Sequence, residues 1–340
     1  MTPRLIWKEG EAGLQALGGM VDGLRLRLPD GRYVEPLATA PWVEEPDSPS
    51  LPGILRSMRG EWPCVPFGTE DAGRLPSGWP PASGVEVPAH GYGSNHDWTV
   101  IKENGGLVGE IRYPDDSPIE SLRRRLRPAN AGIRLELEVL PRRDCLLPIA
   151  LHPILSLPLK PGSARLNIGP HDTVWSHPLG SDPDPCPLLV DDVSPNLAGV
   201  ICRDGSEIDL TSLPLAEPAE CRVLVPNASG RVTLDRLEEG WQTVLEWNRA
   251  DFPSLMLWVS NRGRKGSPWN GRHLAVGVEP CRAAFDLGPT ISAQSNPVAS
   301  IVSTAMAFRA GKVWRTAYAV SVRSCTVQGS LSDCRKRAVA

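Results

Sequence analysis

The sequence lacks the features that would direct a protein towards nucleic acid, a membrane or the cell exterior. Its 36 Lys and Arg are offset by 39 Asp and Glu among 340 residues, and the absence of a basic excess argues against nucleic acid as a partner. No apolar run is long enough to span a membrane, and the first residues lack the apolar core of a signal peptide. We therefore expect a cytoplasmic protein with no nucleic-acid or membrane partner.

The cysteines and histidines lack the spacing of a metal or redox motif. Eight cysteines are scattered along the chain and no two form a C-x-x-C pair, which excludes a zinc ribbon and a thioredoxin-like motif. The six histidines show no metal-ligand spacing either. We expect reduced thiols, no metal and no cofactor.

Phenylalanine and tyrosine are scarce, with four of each, whereas tryptophan, proline and glycine number 11, 35 and 32. Because proline is excluded from helix interiors and central strands, this composition predicts many turns and few long helices. Tryptophan can stack on sugar rings, although filling the core is its commoner use.

Short segments of alternating polarity predict strands along most of the chain. In one of them Leu135, Leu137 and Val139 alternate with glutamates, which is typical of a half-buried strand. Many such segments without an internal repeat predict an all-β fold, a large antiparallel β-sandwich. We expect one domain over residues 1–328 and a polar, frayed tail over 329–340.

The most basic segment is Glu-Ser-Leu-Arg-Arg-Arg-Leu-Arg, residues 120–127. Acidic residues, Glu120 and two preceding aspartates, stand beside its four arginines. We interpret the segment as a solvated face and not as an anion site.

Three stretches carry residue types suited to proton transfer. His90 lies on a glycine-rich stretch where a tight turn is expected. His152 lies at the centre of the almost wholly apolar run 146–158, and Glu279 ends an apolar strand before Pro280. Each residue also has a structural interpretation. His90 would be a solvated loop histidine, His152 a neutral core histidine bonded to backbone, and Glu279 a strand-end carboxylate facing water.

Taken together and in order, these stretches resemble the motifs of the aldose 1-epimerase (galactose mutarotase-like) family, nearest to its hexose-6-phosphate mutarotase branch. The first motifs are Arg59-Gly, residues 62–68 (Trp-Pro-Cys-Val-Pro-Phe-Gly), residues 88–92 (Pro-Ala-His-Gly-Tyr) and Trp98. Residues 151–155 (Leu-His-Pro-Ile-Leu) resemble the second histidine motif, and 278–280 (Val-Glu-Pro) the glutamate motif. The resemblance covers roughly residues 20–322.

The resemblance implies a supersandwich fold and the interconversion of α and β anomers of an aldose or an aldose derivative. In such an enzyme Glu279 takes the proton of the anomeric hydroxyl, and His152 protonates the ring oxygen so that the ring opens. His90 holds or polarises the sugar oxygens by hydrogen bonding. Proton transfer near neutral pH suits a histidine and a carboxylate.

The resemblance also implies sugar contacts for three further residues, namely Arg59, Trp98 and Asp209. The sequence departs from the branch at two positions: Ser94 stands where the branch has an arginine for phosphate, and Glu61 replaces the second glycine of Arg-Gly-Gly. We therefore expect that a 6-phosphate is not essential, although basic residues of the loop 261–272 can serve an anion.

Two other functions stay open. A carbohydrate-binding protein on the same fold keeps the pocket without using it for catalysis. A β-sandwich that acts in assembly leaves the two histidines and the glutamate unexplained. The partner expected in the first two cases is a small sugar; the oligomeric state is left open.

Overall fold

The computed structural model describes residues 2–69, 75–83, 87–181 and 184–325, so the expected tail 329–340 lies outside the described residues. Among these residues the α-helices are α1 (Tyr92–Asn95) and α2 (Gly288–Ala293), and short 3-10 helices form at Ser48–Ser50, Gly53–Arg56 and Val298–Ser300. No helix in the described part of the chain is long and apolar enough to cross a bilayer.

The remaining elements are strands. In chain order they are β1 (Arg4–Trp7), β2 (Gly10–Leu14), β3 (Val21–Arg27), β4 (Tyr33–Val34), β5 (Pro63–Cys64), β6 (Thr99–Glu103), β7 (Gly106–Arg112), β8 (Ile119–Ala129), β9 (Gly132–Pro141), β10 (Cys145–Leu147), β11 (Ile149–Leu151), β12 (Ile154–Ser156), β13 (Ala164–Asn167), β14 (Val174–Ser176), β15 (Val193–Ser194), β16 (Val200–Ile201), β17 (Glu207–Ile208), β18 (Ser212–Leu213), β19 (Ala219–Val225), β20 (Arg231–Arg236), β21 (Trp241–Trp247), β22 (Ser254–Asn261), β23 (Leu274–Arg282), β24 (Met306–Phe308) and β25 (Trp314–Ser324).

Two large antiparallel sheets dominate the fold. A nine-stranded sheet runs in the order β18-β13-β20-β21-β25-β9-β8-β7-β6, and an eight-stranded sheet in the order β15-β14-β19-β22-β23-β11-β5, with β12 also paired to β23. Strands β1 to β4 form a separate four-stranded sheet. The predicted all-β, antiparallel sandwich is therefore confirmed.

Alternation of side chains along each strand builds the main core between the two large sheets. In β9, Leu135, Leu137 and Val139 are buried as predicted, and they join a cluster that includes Leu257 of β22 and Val278 of β23. Because successive side chains of a strand point to opposite faces, the alternate residues of β22 and β23 must face away from this core.

A second apolar cluster covers that opposite face of the eight-stranded sheet. It includes Trp62, Phe67, Met256, Trp258 and Phe285, drawn from the sheet and from the irregular segments around it. The proline-containing segment 59–68 is buried and mostly irregular, with only β5 paired at the sheet edge, as its composition predicts. The face between sheet and loops is where a cavity opens.

The structure corrects the prediction that the basic segment 120–127 forms a solvated face. Arg124 is only 1 % exposed, because the alternation of β8 places it on the inward face beside Leu122 and Leu126. There its guanidinium forms an ion pair with Glu61, which is fully buried. The sequence pattern gave no sign of the partner, because Glu61 lies far away along the chain.

Candidate active site

Three adjacent strands of the eight-stranded sheet bring polar side chains onto the face that lines the cavity. Strand pairing aligns Arg222 of β19 with Trp258 of β22, and Trp258 in turn with Gly277 of β23. The next row along the same face ends in Glu279, which pairs with Met256. Arg222 and Glu279 are thus held on a rigid sheet, two strands apart with β22 between them, and one row apart.

Gly277 makes room for the carboxylate of Glu279. A Cβ atom at position 277 would lie 2.4 Å from Oε1 of Glu279 and 3.3 Å from the side chain of Trp258. Residues two apart on a strand share a face, so only glycine leaves this space open. The sequence Gly-Val-Glu-Pro therefore carries a second structural signal beyond the glutamate itself.

His90 reaches the cavity from a strained turn. Its backbone has φ of 61°, and its amide donates to the carbonyl of Gly68 at 2.8 Å. Gly91 follows with φ of 86°, and a Cβ there would lie 2.4 Å from the carbonyl oxygen of Val65. The predicted tight turn is present, although helix α1 follows it before the strand β6 begins. Left-handed backbone at a non-glycine residue is uncommon and clusters at functional sites.

His152 lies between β11 and β12, where its backbone amide donates to the carbonyl of Trp62 at 2.9 Å. Its ring stacks on the indole of Trp62 with centroids 4.2 Å apart and planes inclined by 13°. The ring of His90 meets it edge-on, with centroids 5.1 Å apart. These contacts fix the orientation of the imidazole.

The structure brings His152 and Glu279 together. Nε2 of His152 lies 3.4 Å from Oε1 of Glu279, and the two side chains are 6 % and 2 % exposed. Among the described residues no group hydrogen-bonds to Oε2 of Glu279, to Nδ1 of His152 or to Nδ1 of His90. Buried polar atoms are nearly always hydrogen-bonded in folded proteins, so three such atoms around one cavity indicate a site prepared for a ligand.

Burial shifts the proton affinities of these three groups. It raises the pKa of Glu279 well above its ordinary value, and the charge of Asp286 raises it further. Burial also lowers the pKa of His152 well below its ordinary value, with His90 adding to the effect, and lowers the pKa of His90 to about 4. These opposite shifts favour the protonated carboxyl of Glu279 and the neutral imidazole of His152 over a buried ion pair.

The cavity in front of these residues has a volume of about 1470 Å³. Its described lining includes His90, His152 and Glu279, two arginines and Asp286, and a set of aromatic residues, namely Trp62, Trp79, Trp258 and Trp269. Among the described residues, no group of three or more His, Cys, Asp or Glu is arranged to hold a metal ion.

Arg222 and Asp286 also line this cavity, although no sequence motif points to them. Nη1 of Arg222 donates to Oδ2 of Asp286 at 2.9 Å, and Oδ1 of Asp286 accepts from Nε2 of His177 at 2.9 Å. Burial alone would raise the pKa of Asp286, but Arg222 and His177 hold it well below its ordinary value. Arg222 looked like an ordinary strand residue, and only the cross-strand register shows that it faces the cavity.

The three residues expected to contact sugar through the resemblance, Arg59, Trp98 and Asp209, are not among the residues that line the cavity. Arg59 pairs with Asp22 at 2.8 Å, and Asp209 pairs with Arg165 at 3.1 Å. Trp98 is buried and donates from its indole nitrogen to the carbonyl of Gly93 at 2.7 Å.

Comparison with known proteins gives the fold. No family model matches the chain, and no curated protein sequence matches it. Solved structures match the chain over nearly its whole length. A proposed aldose 1-epimerase from Escherichia coli K12 has a TM-score of 0.63 at 13 % identity, covering 95 % of this chain and 99 % of that one.

Two further structures give the same result. A galactose mutarotase-like protein from Lactobacillus casei has a TM-score of 0.62 at 16 % identity, covering 95 % of this chain and 100 % of the other. The GalM/aldose epimerase homologue from C. elegans has a TM-score of 0.58 at 11 % identity, covering 96 % and 99 %. At such identities the likeness shows the galactose mutarotase-like fold over nearly the whole chain. The activity has to be argued from the site.

Proposed function

We propose that the protein is an aldose 1-epimerase that interconverts the α and β anomers of an aldose or an aldose derivative by acid–base ring opening. The observation that carries this proposal is the contact of 3.4 Å between Nε2 of His152 and Oε1 of Glu279 at the wall of a large cavity. The mutarotase-like fold of the solved neighbours supports the same reaction class.

The chemistry needs one base, one acid and one proton between them. Glu279 takes the proton of the anomeric hydroxyl while His152 protonates the ring oxygen, which opens the ring to the free aldehyde. After rotation about the first carbon–carbon bond, the reverse transfers close the ring to the other anomer. His90 donates a hydrogen bond to a sugar hydroxyl, or accepts one from it, beside His152 and Glu279.

The protonation of the pair sets the order of these proton transfers. Ring opening starts with the proton on His152 and with Glu279 ionised, whereas the opposite shifts of their pKa values favour the proton on Glu279. The proton therefore has to cross the contact of 3.4 Å from Glu279 to His152 before the ring opens. A pair that begins and ends each turnover with one proton needs no exchange with solvent.

The test is anomer exchange, followed by NMR for neutral, phosphorylated and acidic aldoses. Glu279→Gln and His152→Asn keep polar side chains but remove the titrating groups, so each should lower turnover by about 100-fold or more. The double variant should lose much less than the product of the two losses, because both residues serve one step. Binding of a 1,5-anhydro sugar, which cannot isomerise, should change little.

Glu138→Gln is the matched control, because Glu138 forms an ion pair with Arg315 on the face of β9 away from the cavity. This variant should exchange anomers at the wild-type rate. Wild-type exchange in Glu279→Gln would refute the proposed mechanism. A wild-type protein that binds sugars without accelerating exchange would instead be a carbohydrate-binding protein on the same fold.

A further inference from the structure

Arg222, Asp286 and His177 form a hydrogen-bonded chain at the cavity wall that the acid–base step does not use. Nδ1 of His177 accepts from the amide of Leu179 at 3.1 Å, so the ring proton is on Nε2, which donates to Asp286. Burial lowers the pKa of His177 and keeps its ring neutral. The three side chains together therefore carry one positive guanidinium and one negative carboxylate, so their net charge is zero.

Both ends of the ion pair keep hydrogen-bonding capacity. Each terminal nitrogen of Arg222 carries two protons; Asp286 takes one from Nη1 and the carbonyl of Gly180 takes one from Nη2. Each oxygen of Asp286 has two lone pairs, and its side-chain partners among the described residues take one on each. Two donor protons and two acceptor positions thus remain side by side.

The pair lies close to the acid–base residues. Arg222 lies two strands and one row from Glu279 on the same sheet face, and Asp286 lines the same cavity. The charges of Asp286 and Arg222 move the pKa of Glu279 in opposite directions, which reflects their proximity to it. Glu279, Arg222 and Asp286 therefore face one cavity, so a single bound sugar can contact all three.

The charges along the cavity wall are balanced. Besides Arg222, the other arginine that lines the cavity is Arg264, and its Nε lies 3.5 Å from Glu220 and 3.7 Å from Asp184. No lysine is among the described lining residues. A doubly charged phosphate would therefore meet carboxylates beside each guanidinium, whereas neutral hydroxyl groups can use a donor and an acceptor together.

We propose that Arg222 and Asp286 clamp two adjacent ring hydroxyls, one accepting from the guanidinium and the other donating to the carboxylate, so that the site selects neutral polyhydroxy sugars. The clamp rests on the proposed function, because it places the sugar against Glu279. It names the class of substrate and two residues that set specificity.

The experiment measures binding of sugars that cannot react. Titration calorimetry compares 1,5-anhydroglucitol and 1,5-anhydrogalactitol with their singly deoxygenated derivatives at positions 2, 3 and 4, and with 1,5-anhydroglucitol 6-phosphate. In the wild type, loss of either of two adjacent hydroxyls should weaken binding by about 10- to 100-fold, as expected for hydrogen bonds to charged groups. The 6-phosphate should not bind more tightly than the neutral parent.

Variants then assign the hydroxyls. In Asp286→Asn the penalty for removing the donating hydroxyl should fall to less than about 3-fold, and in Arg222→Lys the penalty for the accepting hydroxyl should fall in the same way. Asp144→Asn is the matched control, because Asp144 pairs with Arg309 on the surface, and it should keep both penalties. Circular dichroism checks that each variant is folded.

The deoxy series on the wild type tests the clamp even where a variant fails to fold. Binding of every deoxy sugar within about 3-fold of its parent would overturn the proposal, and so would no binding of any anhydro sugar. Tighter binding of the 6-phosphate by about 100-fold would overturn the selection of neutral sugars. Because the probes never isomerise, these results do not depend on whether the protein catalyses anomer exchange.

Discussion

Two clusters of buried charged groups lie within this fold and differ in how their hydrogen bonds are used. In the first, Glu61 accepts from Arg124 and from the hydroxyl of Tyr318, and Arg124 also donates to the carbonyl of Gly19 at 2.7 Å. In the second, Glu279 and His152 approach each other at 3.4 Å and leave Oε2 and Nδ1 without hydrogen-bond partners among the described residues.

The difference shows how to separate structural from functional charges. Both carboxyl oxygens of Glu61 are used within the protein, so the first cluster joins segments far apart in the chain and faces the interior. The second cluster lines a cavity and keeps capacity for a ligand. Burial alone therefore does not identify a catalytic carboxylate; unused hydrogen-bonding capacity beside a cavity does.

The largest effect should come from breaking the first cluster. Arg124→Met removes the charge that compensates Glu61 and should lower the free energy of unfolding by about 3–5 kcal/mol. Arg123→Met is the control, because Arg123 pairs with Glu103 and Glu110 on the partly exposed face and should cost less than about 1 kcal/mol. Urea unfolding at neutral pH measures both. Equal losses in the two variants would mean that the buried pair is not a structural crosslink.

Acid should destabilise the protein through His90, whose ring contacts His152 of the second cluster. Burial lowers the pKa of His90 from 6.5 to about 4, so the folded protein binds this proton less tightly than the unfolded chain. Stability is then full above pH 6.5 and falls by about 3 kcal/mol towards pH 4 on account of this residue. Unfolding curves of the wild type and His90→Gln between pH 7 and 4 test this; parallel pH dependences would show that His90 does not contribute.

The smallest effect should be a gain in stability when the acid–base pair is disabled. Burial raises the pKa of Glu279, so its stabilising contribution is present below its unfolded value and is lost as the pH rises towards the folded value. Glu279→Gln replaces the carboxyl by a group that ionises in neither the folded nor the unfolded state, so it should be more stable than the wild type by about 1 kcal/mol at pH 8. At pH 4 the two proteins should unfold alike, and a variant less stable at both pH values would contradict this account.

Much of the fold could be predicted from the sequence because its physical causes are local. Alternation such as that of Leu135, Leu137 and Val139 fixes which face of a strand is buried, and abundant proline and glycine exclude long helices. The motif residues His90, His152 and Glu279 were recognisable from their immediate neighbours, and the structure places all three at one cavity.

Only the tertiary structure decided which charged residues serve the interior and which serve the cavity. Arg124 looks like part of a solvated run, and Arg222 like an ordinary strand residue, but the tertiary structure brings them to Glu61 and Asp286, which lie in irregular segments. The partners lie 63 and 64 residues away along the chain. An alternating pattern predicts which face a side chain occupies, but the charge it meets there depends on how distant strands and loops pack together, which no local pattern encodes.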